Sequence, residues 1–168
     1  MTILNVLRLL LVSLWLGAAV FFSSVVAPSV FSVLRAFQVP NVGEIAGSMV
    51  TRNLTVVNIS GQVIGIFLLI TAFVLSRGLG RRSFFLELGA LLLMTISTVV
   101  GHWVIASKMR ALRLAMILPV DQIAVDDTRR VAFNRLHGYS VTALSIAMIA
   151  ALIAFLVIAY RARLNTNY

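Results

Sequence analysis

Residues 129–141 read RRVAFNRLHGYSV. The stretch opens charged and amphipathic and runs unbroken into a long apolar segment, so a helix here passes from water into a bilayer with His137 at the crossing. The rest of the chain has the same character. Of 168 residues 61% are hydrophobic and 11% charged, and the mean hydropathy is +1.04. A soluble domain is only about half apolar, so this is the composition of an integral membrane protein. One crossing takes about 20 apolar residues. The length therefore permits four spans with modest loops, a single transmembrane domain over residues 1–168, and leaves no room for a soluble domain.

The net charge of +9 superficially suits a nucleic-acid binder, but in a membrane chain Lys and Arg gather beside anionic headgroups. The expected partner is the lipid bilayer, with no nucleic acid. There is no cysteine, which excludes disulfides and thiolate metal sites.

Working outward from residue 137, four spans are expected at about 6–37, 54–75, 84–107 and 137–160. The first outlasts the apolar core of a signal peptide and is read as a retained helix. Pro28 has no amide hydrogen, so it should free the carbonyl of Ser24 and kink this helix. Ser23, Ser24 or a neighbouring helix can satisfy that carbonyl. Residues 38–53 turn polar and read as a connection, with at most a short interfacial helix near 44–49. The second span carries Gly61 and Gly65, a pair at the spacing that lets helix backbones approach in lipid. Asn58 and Gln62 lie on the same face, which must look at protein.

SRGLGRRS, 76–83, is a basic turn. The third span keeps its period beyond the membrane through Ile105, Met109, Leu112 and Met116, while Lys108, Arg110 and Arg113 take other faces. Asp126, Asp127 and Thr128 offer caps for the fourth helix. The expected fold is all-α: an integral membrane antiparallel four-helix bundle whose helices 3 and 4 protrude by about 15 Å at 1.5 Å per residue. The short arginine-rich turn shares a side with both termini, which places the termini in the cytoplasm. The plasma or inner membrane is the expected location.

AFNRLHGYSV, 132–141, resembles the FxRxHGxS signature of a family of small four-helix membrane proteins, domain of unknown function 4149, typified by transmembrane protein 205. WLGAAVFFSSVVAPSVFSVL, 15–34, is similar to that family's first helix, and SKMRALRLA, 107–115, to its basic segment after helix 3. The resemblance implies a four-helix fold and supplies no reaction, cofactor or catalytic residue. It singles out Phe133, Arg135, His137, Gly138 and Ser140. Many members carry a proline before the basic segment; Ser107 stands here, so helix 3 should continue more smoothly.

The chemical inventory is thin. There is no metalloprotease motif, no phosphate-binding glycine loop and no paired intramembrane carboxylate, so no enzyme, no catalytic residue and no metal site are expected. Glu87 is expected to pair with Arg81 or Arg82 of the basic turn. Two imidazoles on adjacent helices can ligate haem iron or chlorophyll magnesium, which makes His102 and His137 the candidate cofactor ligands. If helices 3 and 4 fold about Gln122, the two are about five residues out of register, roughly 7–8 Å, so they do not share one metal. His102 instead comes level with Asn58 and is expected to bond to Asn58 or Gln62. The leading expectation is a non-catalytic accessory or scaffold subunit of a larger membrane complex, packing against other membrane protein subunits or itself, with no cofactor. The alternatives are a pigment-, haem- (or chlorophyll-) or metal-binding membrane subunit using His102 or His137, and a small transporter, disfavoured without an intramembrane charge pair.

Overall fold

The computed structural model describes residues 3–75 and 81–164. Four helices follow one another: α1 (Ile3–Ala36), α2 (Val42–Val74), α3 (Arg81–Ala115) and α4 (Thr128–Leu164), with a 3₁₀ turn at Val120–Gln122 between the last two. All four are long and apolar enough to cross a membrane. Residues 76–80, which include Arg77 of the basic turn, and residues 165–168 lie outside the described residues. The helices pack as an antiparallel ring in which α4 lies against α1 and α3, and α2 against α1 and α3. At 33 to 37 residues, each runs about 50 Å at 1.5 Å per residue, well beyond the ~30 Å hydrocarbon core.

The surplus length corrects one expectation. Residues 42–53 are the first turns of α2 and not a connection. Ser48, Thr51 and Thr55 return their hydroxyls to the carbonyls four residues back at 2.8, 2.6 and 2.9 Å, and Asn53 Nδ2 donates to the Met49 carbonyl at 3.0 Å. These polar side chains are satisfied by the helix itself, so their loop-like composition carries no break. The connection shrinks to the turn before Asn41, which sits at φ 55° and starts the helix.

Two helices depart from α geometry. In α1 the turn Phe22–Val26 is π-helical, with the Ala27 N–H donating to the Phe22 carbonyl. Pro28 follows within one turn and cannot donate; Ser23 and Ser24 bond to the carbonyls of Ala19 and Val20 at 2.8 and 2.7 Å. In α3 the stretch Val100–Ala106 is π-helical. Helix 3 is therefore continuous through Ser107, but it is wider than the smooth α-helix expected there.

The core is built on small residues. Ala147, Ala150, Ala151 and Ala154 of α4 are buried, and their spacing forms one face against Val12, Trp15, Leu91 and Met94. On α2, a methyl group added at Gly61 would stand 2.8 Å from the Trp15 indole nitrogen, and one at Gly65 would collide with the Thr95 hydroxyl. The two glycines therefore serve different neighbours, α1 and α3. Trp15 Nε1 donates to the Val57 carbonyl at 2.9 Å.

At the end carrying the termini, the core is polar. Glu87 is 0% exposed and accepts from both Arg8, 2% exposed, and Arg161. Arg8 also donates to the Leu68 carbonyl at 3.4 Å. One cluster thus joins all four helices. It corrects the expected pairing with Arg81 or Arg82, whose side chains are exposed: Glu87 shares its helix face with the buried Ala90, Leu91 and Met94, and that face turns inward. It also supplies a buried charge cluster within the bundle, of the kind whose absence counted against a transporter.

Two outcomes are expected from this packing. Gly61→Leu and Gly65→Leu together disrupt the bundle, because lipid offers no hydrophobic drive to compensate for lost backbone approach; unchanged thermal unfolding in detergent would contradict this. Glu87→Gln leaves two buried guanidinium groups without a counter-ion and costs about 3–5 kcal/mol, the typical loss for one partner of a buried pair. Arg81→Gln and Arg82→Gln leave unfolding unchanged. An equal loss from the turn variants would move the partnership of Glu87 back to the turn.

Candidate ligand-binding site

The ring does not stay closed along its length. The first part of α1, Ile3–Phe21, packs against α4, whereas after the π turn and Pro28 the helix packs chiefly against α2. No residue of Ala27–Ala36 is fully buried. The helix has swung away from α4, and a cavity of about 580 Å³ lies in the gap. Its lining on α4 extends from Arg130 to Met148, which is about 27 Å along the axis at 1.5 Å per residue. The site is long and narrow.

Its two ends differ in chemistry. The deep end is formed mainly by Phe22 and Pro28 of α1, Val50 and Leu54 of α2, and Leu144 and Met148 of α4, with Ser23 and Ser145 beside them, the Ser23 hydroxyl bonded to the Ala19 carbonyl of its own helix. The outer end is formed by Arg110 and Arg113 of α3, Val120 and Asp121 of the loop, and Arg130 of α4. The outer end is held together by specific bonds. Arg113 pairs with Glu44 at 3.4 Å, donates to the Ser48 hydroxyl at 3.1 Å and lies 5.3 Å from the Phe133 ring centre. Asp121 accepts the Glu44 N–H at 3.1 Å, and Gln122 donates to the Asn41 side chain at 2.9 Å. Gly43 and Gly47 of α2 make room: a methyl group at Gly47 would lie 2.8 Å from the Arg113 guanidinium, and one at Gly43 would press on the Asp121 carboxyl carbon at 3.0 Å. Arg130 donates to the Ile123 carbonyl. Arg110 is exposed and makes no hydrogen bond or ion pair among the described residues.

Helix α4 starts at a firm cap. The Asp127 carboxylate accepts the Arg129 N–H at 2.8 Å and pairs with its guanidinium. These bonds hold the Asp127 carboxyl down at about 2. Because the shift is downward, the stabilisation is present above the ordinary carboxylate range and is lost only as pH falls through about 2.

The residues singled out by the sequence divide cleanly. Phe133, His137 and Ser140 line the cavity, one helix face at steps of four and three. Arg135 points elsewhere, donating to the Tyr139 hydroxyl at 3.0 Å, and a methyl group at Gly138 would meet nothing within 4 Å. His102 does not line the cavity. It is buried, its Nδ1 has no hydrogen-bond partner, and its ring stands edge-on to Trp103 at 4.8 Å between centres. The bond expected from it to Asn58 or Gln62 is replaced. Gln62 instead donates to the Thr98 carbonyl at 3.2 Å and accepts from Trp103 Nε1 at 3.1 Å, while Asn58 packs beside Gly101. The two histidines are thus not gathered in one site. Among the described residues no group of three or more His, Cys, Asp or Glu is placed to hold a metal ion.

The sequence reading missed the Gly43/Gly47 pair and the cavity face of Thr51 and Leu54. The available signal was the four-residue glycine spacing, a repeat of the one recognised at Gly61 and Gly65, which was obscured by the polar residues around it.

No curated protein and no solved structure matches the chain. The model of one protein family, the domain of unknown function DUF4149, matches residues 10–117. That stretch takes in α1 from Leu10, all of α2 and α3, and the basic segment 107–115; the Phe133–Ser140 face of α4 lies outside it. Since the match spans more than half of the 168 residues, the chain belongs to the DUF4149 family.

Proposed function

We propose that the protein is a non-catalytic membrane protein that binds an amphiphile from the bilayer in the cavity between α1 and α4. The observation that carries this reading is the shape and polarity of one cavity: about 580 Å³, within the ~300–1,000 Å³ of small-molecule sites, apolar at depth and basic at its mouth. A long, narrow space suits one chain of a lipid, with the head at the arginines and any second chain outside. The proposal keeps the non-catalytic character expected from the sequence and makes ligand binding, not packing against a partner subunit, the activity. With the termini in the cytoplasm, the orientation read from the arginine-rich turn, the basic mouth opens toward the opposite leaflet.

A second reading has one observation in its favour. His137 shares the cavity with Met109, and imidazole with thioether is a donor set that holds haem iron. His137, not His102, is then the ligand, and the chain-like shape of the lining favours the lipid over a flat macrocycle.

Native mass spectrometry and the visible spectrum of protein purified in mild detergent distinguish the two. A colourless protein carrying one lipid is the expected result; a stoichiometric Soret or chlorophyll band, lost in His137→Ala, would overturn it. Leu54→Trp fills the deep end and lowers lipid retention by about tenfold or more, equivalent to about 1.4 kcal/mol. His102→Gln leaves retention unchanged. Full retention in Leu54→Trp would place the lipid on the outer surface instead.

A further inference from the structure

The mouth of the cavity has a definite charge balance. Three arginines reach it, Arg110, Arg113 and Arg130, and two carboxylates adjoin it, Asp121 and Glu44. Both acids are already engaged. Glu44 faces Arg113 at 3.4 Å, and Asp121 accepts the first-turn N–H of Glu44 at 3.1 Å, where the positive end of the α2 dipole also favours it. Arg130 donates to a carbonyl, which leaves its charge uncompensated, and Arg110 has no partner among the described residues. The mouth is one positive charge in excess, with the Arg110 guanidinium unpartnered among the described residues and the Arg130 charge balanced by no carboxylate.

We infer that the head held there is a monoanionic phosphodiester, so the ligand is an anionic phospholipid whose remaining head atoms are uncharged. This rests on the amphiphile reading above and refines it. A guanidinium fork matches two phosphate oxygens. A zwitterionic lipid offers the same phosphodiester but adds an ammonium group, which Arg110, Arg113 and Arg130 repel. A diphosphate brings more negative charge than the mouth can neutralise.

The test uses the full chain in detergent, titrated with phosphatidylglycerol or phosphatidylcholine of identical acyl chains and read by native mass spectrometry. Phosphatidylglycerol is expected to bind about tenfold or more tightly, a difference of one decade in Kd. Arg110→Gln, at an exposed side chain with no bond to lose, and Arg110→Gln with Arg130→Gln reduce that preference stepwise toward unity, chiefly by weakening phosphatidylglycerol binding. Arg52→Gln, an exposed arginine of α2 outside the lining, leaves it intact. Equal binding of the two lipids by the parent chain would overturn the head-group assignment alone, provided Leu54→Trp still weakens both. A preference that survives the double variant, or that Arg52→Gln removes equally, would overturn it too, since the selection would then come from the diffuse basic rim. Binding of both lipids that Leu54→Trp does not change would overturn the cavity reading itself.

Discussion

A single buried carboxylate organises one end of this bundle. Glu87 on α3 receives Arg8 from α1 and Arg161 from α4, and Arg8 reaches the Leu68 carbonyl of α2. Charged groups at membrane depth are costly and persist only when paired, so the cluster ties the axial register of all four helices to one point. Sliding α1 or α4 by one residue, 1.5 Å, would pull a guanidinium out of reach and leave a buried charge bare. The alanine face of α4 and the glycines of α2 then allow close packing in the layers that follow.

With that end locked, the irregularities of α1 take effect at the other. The π turn at Phe22–Val26 and Pro28 redirect the helix after its contact with α4 has been made. The matching π stretch of α3 ends at Ala106, where that helix begins to line the cavity. Wide turns of this kind are rare and collect at functional sites. Here they separate two tasks along one bundle, cohesion at the terminal end and an opening at the far end. The outer end of the opening is kept in shape by Asp121, Glu44, Arg113 and Gln122, which join the α3–α4 loop to the start of α2.

Much of the architecture is legible in the sequence because apolar periodicity is a local property. The four spans, their antiparallel order and the inward face of Gly61 and Gly65 follow from the spacing of residues along single helices. Helix faces were also enough, in principle, to find the charge cluster. Arg8 is in step with Val12, Trp15 and Ala19, Glu87 with Leu91 and Met94, and Arg161 with Ile158 and Ala154, all buried. Proximity in sequence pointed to Arg81 and Arg82 instead. The start of α2 was hidden for a related reason, since Ser48, Thr51 and Asn53 look like loop residues until their side chains are seen to bond within the helix.

The sequence by itself determined the membrane class, the number of spans and the inward face of Gly61 and Gly65, because these depend on hydrophobicity and on the 3.6-residue repeat. Only the tertiary structure decided which of the arginines are bridged, that His137 enters a cavity while His102 does not, and that Phe133 and Ser140 share it but Arg135 and Gly138 do not. Those outcomes depend on the direction in which helices leave one another. That direction is set by a proline, two widened turns and one buried carboxylate acting across the bundle, and no pattern within a single helix records it.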